Sequence, residues 1–373
     1  MDCATPRLEP YIPENLRGKS SYSQRPKLIA EVVLMPEKIE VGNVTVRRGE
    51  LRKGVIRGVE LINNVSIDIP VLAMNGVEEG PTLLLMSTQH GIEIQGIEVI
   101  RRVMREELSP GKLRGAVIAI PLGNPLAFMH HQYLSWIDNL DVGAVRADRP
   151  EGNTTERLAH ALWTEAWSTA DAIVNLHCNT RPDSLIYQWI NVGNPATRER
   201  LEGMADAFGV TTIVSDEPVG ENAPPTLENL AAGKGIPVIL EELIDGRWIS
   251  EPSTSAGVRG VLNIMKAFDM IDGKPEPQRG FPIVPSVNRF HGIIRANRGG
   301  LIRLLKRPGE PIKRGEALAE IYDLYGDIIE SVKMPVDGYV WAFPCGQSLG
   351  TSGGLQAVQT GANIAYAFTH EEG

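Results

Sequence analysis

Apolar residues in this chain gather in short unbroken runs that alternate with longer segments of helical period. Residues 82–87, 115–121, 172–177 and 237–243 are runs of the first kind and predict buried strands, with 185–190 and 211–214 as shorter candidates. Between the first two, residues 94–107 place Ile94, Ile97, Val99, Ile100, Val103 and Met104 on one helical face, and Ser109-Pro110-Gly111 ends it. Helices are also predicted over 154–168, with Thr154 or Thr155 as cap, and over 196–208, 226–233 and 254–271. Strands alternating with helices imply an α/β domain built on a mixed or mostly parallel sheet. In such sheets ligands collect at the carboxyl ends of strands.

The flanks have a different texture. Residues 1–28 are polar and contain several prolines, the composition of a loose arm. From Ala30 to Met74, stretches rich in Val and Ile read as antiparallel strands turned at Gly49, Asn63-Asn64 and the glycines of 76–80. Residues 122–153 form a long loop whose Asn124-Pro125, His130-His131, Tyr133 and Trp136 are too aromatic for a simple linker, and loops of this length are usually functional or disordered. After Gly273-Lys274-Pro275-Glu276-Pro277 the helical period disappears. Residues 284–373 then read as a small all-β, barrel-like domain punctuated by turns such as Pro335-Val336-Asp337-Gly338. This segment resembles the biotinyl/lipoyl-type hammerhead barrel, without an evident lysine for carrier modification. The expected organisation is an arm (1–28), an α/β catalytic domain (29–275, with N-terminal strands over 29–80) and a C-terminal β domain (284–373).

Composition narrows the class. The 373 residues are 42% hydrophobic and 22% charged, which is ordinary globular usage. A net charge of −9 and a pI near 5.4 argue against nucleic-acid binding. No apolar run reaches the ~20 residues of a membrane span, and the N-terminus lacks the apolar core of a signal peptide. Cys3, Cys178 and Cys345 are too few and too scattered for a disulfide framework. A cytoplasmic protein acting on a small molecule is expected, without nucleic-acid or membrane partners, and with a homo-oligomer left open.

The chemistry concentrates where the first strand gives way to helix. His90-Gly91-Ile92-Glu93 sets an imidazole and a carboxylate three positions apart on a turn, a ligand mixture that suits Zn²⁺. Such a pair alone also occurs on many helix surfaces. Third-ligand candidates are His130, His131, His160, His177, His291 and His370; of these only His177 ends a buried strand. A zinc site also needs a base for its water, and the strand PVILEEL supplies adjacent Glu241 and Glu242. Alternation along a strand lets only one of them face the cleft.

HGIEIQG, Asn124-Pro125, TERLA from Thr155, NLH ending at His177, and PVILEEL followed by Asp245-Gly246 resemble the succinylglutamate desuccinylase/aspartoacylase family. The resemblance covers about Ile69 to the end. It implies a zinc-carboxypeptidase-like, three-layer catalytic domain with a mixed sheet, followed by a small β domain. It further implies one Zn²⁺ per chain on His90, Glu93 and His177, with Glu242 as general base. The implied reaction is hydrolysis of an amide, typically an N-acyl group on an amino acid or related small amine. Three positions depart from the family pattern: Asn175 stands where an aspartate is usual, Asp141-Val142-Gly143-Ala144 replaces an Asp-Leu-Asn-Arg clamp, and a family arginine falls near Tyr133. Asn124 and Tyr133 remain candidate substrate contacts, and Arg146, Arg149 or Arg181 are candidate replacements for the clamp. An esterase or carboxypeptidase using the same zinc site, or a non-catalytic ligand-binding member, are the alternative readings.

Overall fold

The computed structural model describes residues 37–179, 183–217, 219, 223–244, 246–284, 287–344 and 356–370. The expected arm, Arg181 and Asp245 lie outside this set, as do Cys3 and Cys345. The described chain begins with a two-stranded ribbon, β1 (Lys38–Val41) and β2 (Val44–Arg47). Next come β3 (Glu50–Glu60) and β4 (Ser66–Asn75), an antiparallel pair turned through Asn63-Asn64. In β4 the side chains alternate, so that Ile67, Ile69, Val71 and Ala73 are buried on one face.

β5 (Glu78–Ser87) is the run that opens the α/β part, and α1 (Gln95–Arg102) follows it. The helix expected to reach Glu107 widens from Val103 into a single π-type turn. β6 (Arg114–Ile120) leads into the long loop, which holds one short helix, α2 (Pro125–Met129). Asn124 caps α2 by accepting from the Ala127 amide at 3.0 Å, with Pro125 in the first turn. Five residues hold too little period to be seen in the apolar pattern. α3 (Thr154–Glu165) is capped by Asn153 rather than by Thr154 or Thr155, because Asn153 and Glu156 form a reciprocal capping box.

The remaining elements of this part are β7 (Ala172–Asn179), β8 (Asp183–Ser184), β9 (Tyr187–Asn191), α4 (Pro195–Phe208), β10 (Thr211–Ser215), α5 (Leu227–Gly233), β11 (Val238–Ile244) and α6 (Glu251–Ala267). The C-terminal segment contributes β12 (Val287–Arg295), β13 (Gly300–Leu304), β14 (Ala317–Tyr322), β15 (Ile328–Lys333), β16 (Tyr339–Phe343), β17 (Gln356–Val358) and β18 (Asn363–His370). A mixed sheet of twelve strands, in the order β3-β4-β6-β5-β7-β11-β9-β10-β12-β18-β16-β8, runs through the molecule. Its centre, β6-β5-β7-β11, is parallel.

Helices cover both faces of that centre, which explains its continuous apolar runs. One core packs Leu83, Leu85, Val174 and Leu176 against Val99 of α1, Phe208 of α4 and Ile264 of α6. The other packs Leu84, Met86, Ile118 and Ile173 against Leu158 and Leu162 of α3, Leu227 of α5 and the β1–β2 ribbon. After β5 the chain crosses one face to β6; after β6 it crosses the other to β7. The crossovers diverge at β5 and β7, so the crevice of the sheet opens where these two strands end.

The C-terminal segment has its own core, including Ile302, Ile312, Leu318, Ile321, Val332 and Phe343, around a four-stranded sheet β15-β14-β13-β17. Three of its strands, β12, β18 and β16, also extend the large sheet, with β12 parallel to β10. No helix among the described residues is long and apolar enough to cross a membrane.

Gln95 ties the start of α1 to the start of α6. Its Nε2 donates to the Ser250 carbonyl and to Thr254 Oγ1, both at 2.7 Å, and its Oε1 accepts from the Ser250 amide at 3.0 Å. Gln95→Ala strands these buried partners and should cost about 1–3 kcal/mol in denaturant unfolding. An unchanged unfolding midpoint would show that the two helix starts are held by packing alone.

Candidate metal centre

The site is built where β5 ends. Thr88, the next residue, takes a left-handed backbone (φ 55°), unusual for a β-branched residue. Its carbonyl accepts from the Asn124 amide at 3.0 Å and its hydroxyl donates to the Glu93 carbonyl at 3.1 Å. A turn from His90 to Glu93 closes at 3.0 Å, and the Ile94 amide reaches the Gly246 carbonyl at 3.0 Å. Gly91 lies against the backbone of α2: a Cβ there would stand 2.1 Å from the carbonyl carbon of Ala127. The loop is thus clamped on both sides, with the His90 and Glu93 side chains turned inward and buried.

His177 comes from β7, whose neighbouring register places it beside the end of β5. His90, Glu93 and His177 offer ligand atoms that all lie within 4.8 Å of one another, the group among the described residues that could hold a metal ion. Glu93 is shared between the rings: Oε1 lies 2.8 Å from His90 Nδ1, and Oε2 lies 3.0 Å from His177 Nδ1 and 3.3 Å from the Cys178 amide. Burial would raise the Glu93 pKa, but His177 and His90 outweigh it and hold the carboxylate well below its usual range. Burial would likewise depress His90, and its bonds to Asp141 and Glu93 prevail in the opposite direction. A cation bound by these atoms would take the place of the protons shared between them.

Asp141, to which the sequence reading gave no role, joins the group through His90. Its Oδ2 accepts from His90 Nε2 at 3.1 Å, and its Oδ1 accepts from the Gly143 amide at 2.8 Å. A proton kept on Nε2 leaves the Nδ1 lone pair of His90 available to a metal. Tyr133 stacks on the other side of the site, its ring 3.6 Å from the His90 ring and inclined by 16°. Beneath the triad, Asn175 Nδ2 donates to Gln89 Oε1 at 3.2 Å and to Glu228 Oε1 at 3.4 Å. Gln89 directly precedes His90, whereas Asp141 and Glu228 lie far from the triad in sequence and only the fold brings them to it.

Glu242 lies directly beside His177 in the parallel register of β11 and β7, and so faces the same side of the sheet. Glu241 faces the opposite core, fully buried, and neither of its carboxyl oxygens meets a hydrogen-bond partner among the described residues. Burial pushes its carboxyl well above the ordinary range.

The other candidates fall elsewhere. Asn124 spends its Oδ1 on the α2 cap and on Ser135, and its Nδ2 has no partner among the described residues. Arg146 pairs with exposed Asp148 at 2.6 Å, and Arg149 reaches Glu156 at 3.6 Å. Of the remaining histidines, His160 anchors the Ala147 carbonyl at 2.9 Å, His130 packs on Trp136 and His370 bonds Tyr339.

A mixed sheet whose switch point carries a buried His-Glu-His group defines an α/β protein with a crevice that could hold a metal ion. Comparison with known proteins gives it a family. The model of the succinylglutamate desuccinylase/aspartoacylase catalytic domain matches residues 79–268, just over half of the chain, and the chain belongs to that family. N-alpha-acetyl-L-2,4-diaminobutyric acid deacetylase of Halomonas elongata is 24% identical over 252 residues, which make up 66% of this chain and 72% of that protein. A succinylglutamate desuccinylase/aspartoacylase from Rhodobacter sphaeroides has a crystal structure that covers 90% of this chain and 100% of its own, with a TM-score of 0.74 and 25% identity. The product-bound ectoine utilization protein EutE (DoeB) from Ruegeria pomeroyi shares the fold over 90% of this chain and 100% of its own, with a TM-score of 0.72 at 18% identity.

Gly91→Ala should push the His90–Glu93 turn off α2, lowering both metal affinity and the thermal unfolding midpoint. Unaltered metal titration and an unaltered midpoint would show that the turn tolerates the Cβ and that the close approach is incidental.

Proposed function

We propose that the protein is a zinc-dependent hydrolase that removes an N-acyl group from an amino acid or related small amine by cleaving a linear amide. The observation that carries this reading is the convergence of His90, Glu93 and His177 at the ends of two adjacent parallel strands, with Glu242 in register beside His177. Two imidazoles and a carboxylate are a ligand set suited to zinc, leaving room for water or substrate in the coordination sphere. When bound there, the ion would polarise the scissile carbonyl and acidify a water molecule.

The chain's own residues supply the rest. Asp141 fixes the His90 ring and its tautomer. Glu242 takes the proton from the attacking water and delivers it to the departing amine nitrogen, so that the amine leaves neutral. Glu241 cannot share that work, since it points into the opposite core. Tyr133 forms one wall over His90 and is positioned to contact the substrate. Family membership and the similarity to a deacetylase support amide hydrolysis. In this reading the zinc-carboxypeptidase-like catalytic domain spans 29–275, and the β segment 284–373 walls the crevice through β12, β16 and β18.

Metal analysis of protein purified without a metal-affinity tag should find about one zinc per chain, lost in His177→Ala. Glu242→Gln should retain its metal while turnover of N-acyl amino acids falls by roughly 10² or more. Near-normal turnover of Glu242→Gln together with a loss in Glu241→Gln would move the base by one residue. Full activity of a metal-free protein would reject the zinc reading.

A further inference from the structure

Next to the metal centre, on the same face of the sheet, lies a second cavity of about 230 Å³. Its walls are Trp189 of β9, Val238 and Leu240 of β11, Leu201 of α4 and Ile236, with Glu228 of α5 as the ionisable group among its described lining residues. Leu240 is paired in register with both Asn175 and Trp189, and Asn175 lies two residues before His177. Two residues along a strand span ~6.6 Å, so the cavity starts about one pleat below the triad. Glu228 stands at the boundary: it lines the cavity, receives the bond from Asn175, and lies close enough to His177, Asp141 and His90 for their charges to act on it.

The geometry points to this cavity as a subsite for a positively charged group of the substrate, held by Glu228 and Trp189 at the end of a short aliphatic spacer from the scissile amide. The inference rests on the hydrolase reading above and specifies its substrate class. A carboxylate in a mostly apolar wall beside an indole is the donor set that suits an ammonium group, through charge and cation–π attraction. Trp189 is held in place for that role by an edge contact with Trp341 (ring centroids 5.5 Å apart, 86°). The local charge agrees: no cationic side chain is among the described residues that line the cavity, and Arg146 and Arg149 are paired with acidic residues of their own loop and of α3. A cavity with this lining favours a cation over an anion. The helical alternative is that Glu228 merely complements the start of α5, where an acid is favourable. That role would give no preference between substrates. Burial raises the Glu228 carboxyl, and a bound cation would lower it again.

The test has two arms on the full-length, zinc-loaded protein. In the first, calorimetry compares the free amines ornithine, norleucine and glutamate, whose side chains are of similar length and end in a cation, a methyl group and an anion. Ornithine should bind at least roughly tenfold tighter than norleucine, and glutamate weakest, a difference of about 1.4 kcal/mol. In E228Q, and separately in W189L should E228Q fail to fold, the ornithine-to-norleucine ratio should fall towards one. In the second arm, the kcat/KM values of the corresponding N-acetyl derivatives should follow the same order, with E228Q acting on KM of the cationic substrate. Equal binding of the three amines, or an undiminished ornithine preference in E228Q and W189L, would overturn the subsite. Selective ornithine binding without turnover of any N-acetyl derivative would uphold the subsite and reject the hydrolase reading, so the two fail separately.

Discussion

The crevice depends on one carboxylate. Glu93 is almost wholly buried, yet it is ionised because an imidazole lies against each of its oxygens and the Cys178 amide donates to one of them. That arrangement, together with the bond from Asn175 to Gln89, joins the loop after β5 to the end of β7. Removing one partner would leave a buried charge uncompensated, which typically costs about 3–5 kcal/mol. Much of the nearby detail serves to keep these three side chains in place: the left-handed turn at Thr88, the close approach at Gly91 and the bond from His90 to Asp141.

Adjacent Glu241 and Glu242 show how strand geometry divides two identical side chains. One pleat faces the crevice beside His177, and the next faces a core of Leu, Val and Phe residues. Burial raises the Glu241 carboxyl, and the like charge of Glu242 adds to that effect. A carboxyl in a core is costly when its oxygens lack partners.

The central strands could be read in the sequence because burial on both faces makes their residues uniformly apolar, as in Leu83–Leu85 and Ile173–Val174. His90, Glu93 and His177 were legible because they interrupt or end such runs. Asp141 and Glu228 were not, since each is an ordinary acid in its local sequence and gains its role only from tertiary placement. The cap at Asn153 was missed for the neighbouring threonines, because Ser, Thr, Asn and Asp all suit that position and only geometry chooses. The C-terminal segment reads as a separate unit from its glycine-rich turns. Its continuity with the large sheet rests on the pairing of β10 with β12, about seventy-five residues apart, for which local pattern carries no signal.

That pairing has a mechanical consequence. β12 is hydrogen-bonded along one edge to β10 and along the other to β18. Pulling the C-terminal segment away would strip the β10–β12 ladder and the β8–β16 pairing and expose a row of backbone N–H and C=O groups, a penalty that grows with every residue separated. Aromatic rings reinforce the seam, since Trp341 contacts Trp189 and Tyr187 across it and Phe290 contacts Trp189. The segment is therefore a continuation of the large sheet and not an appendage hung on a linker.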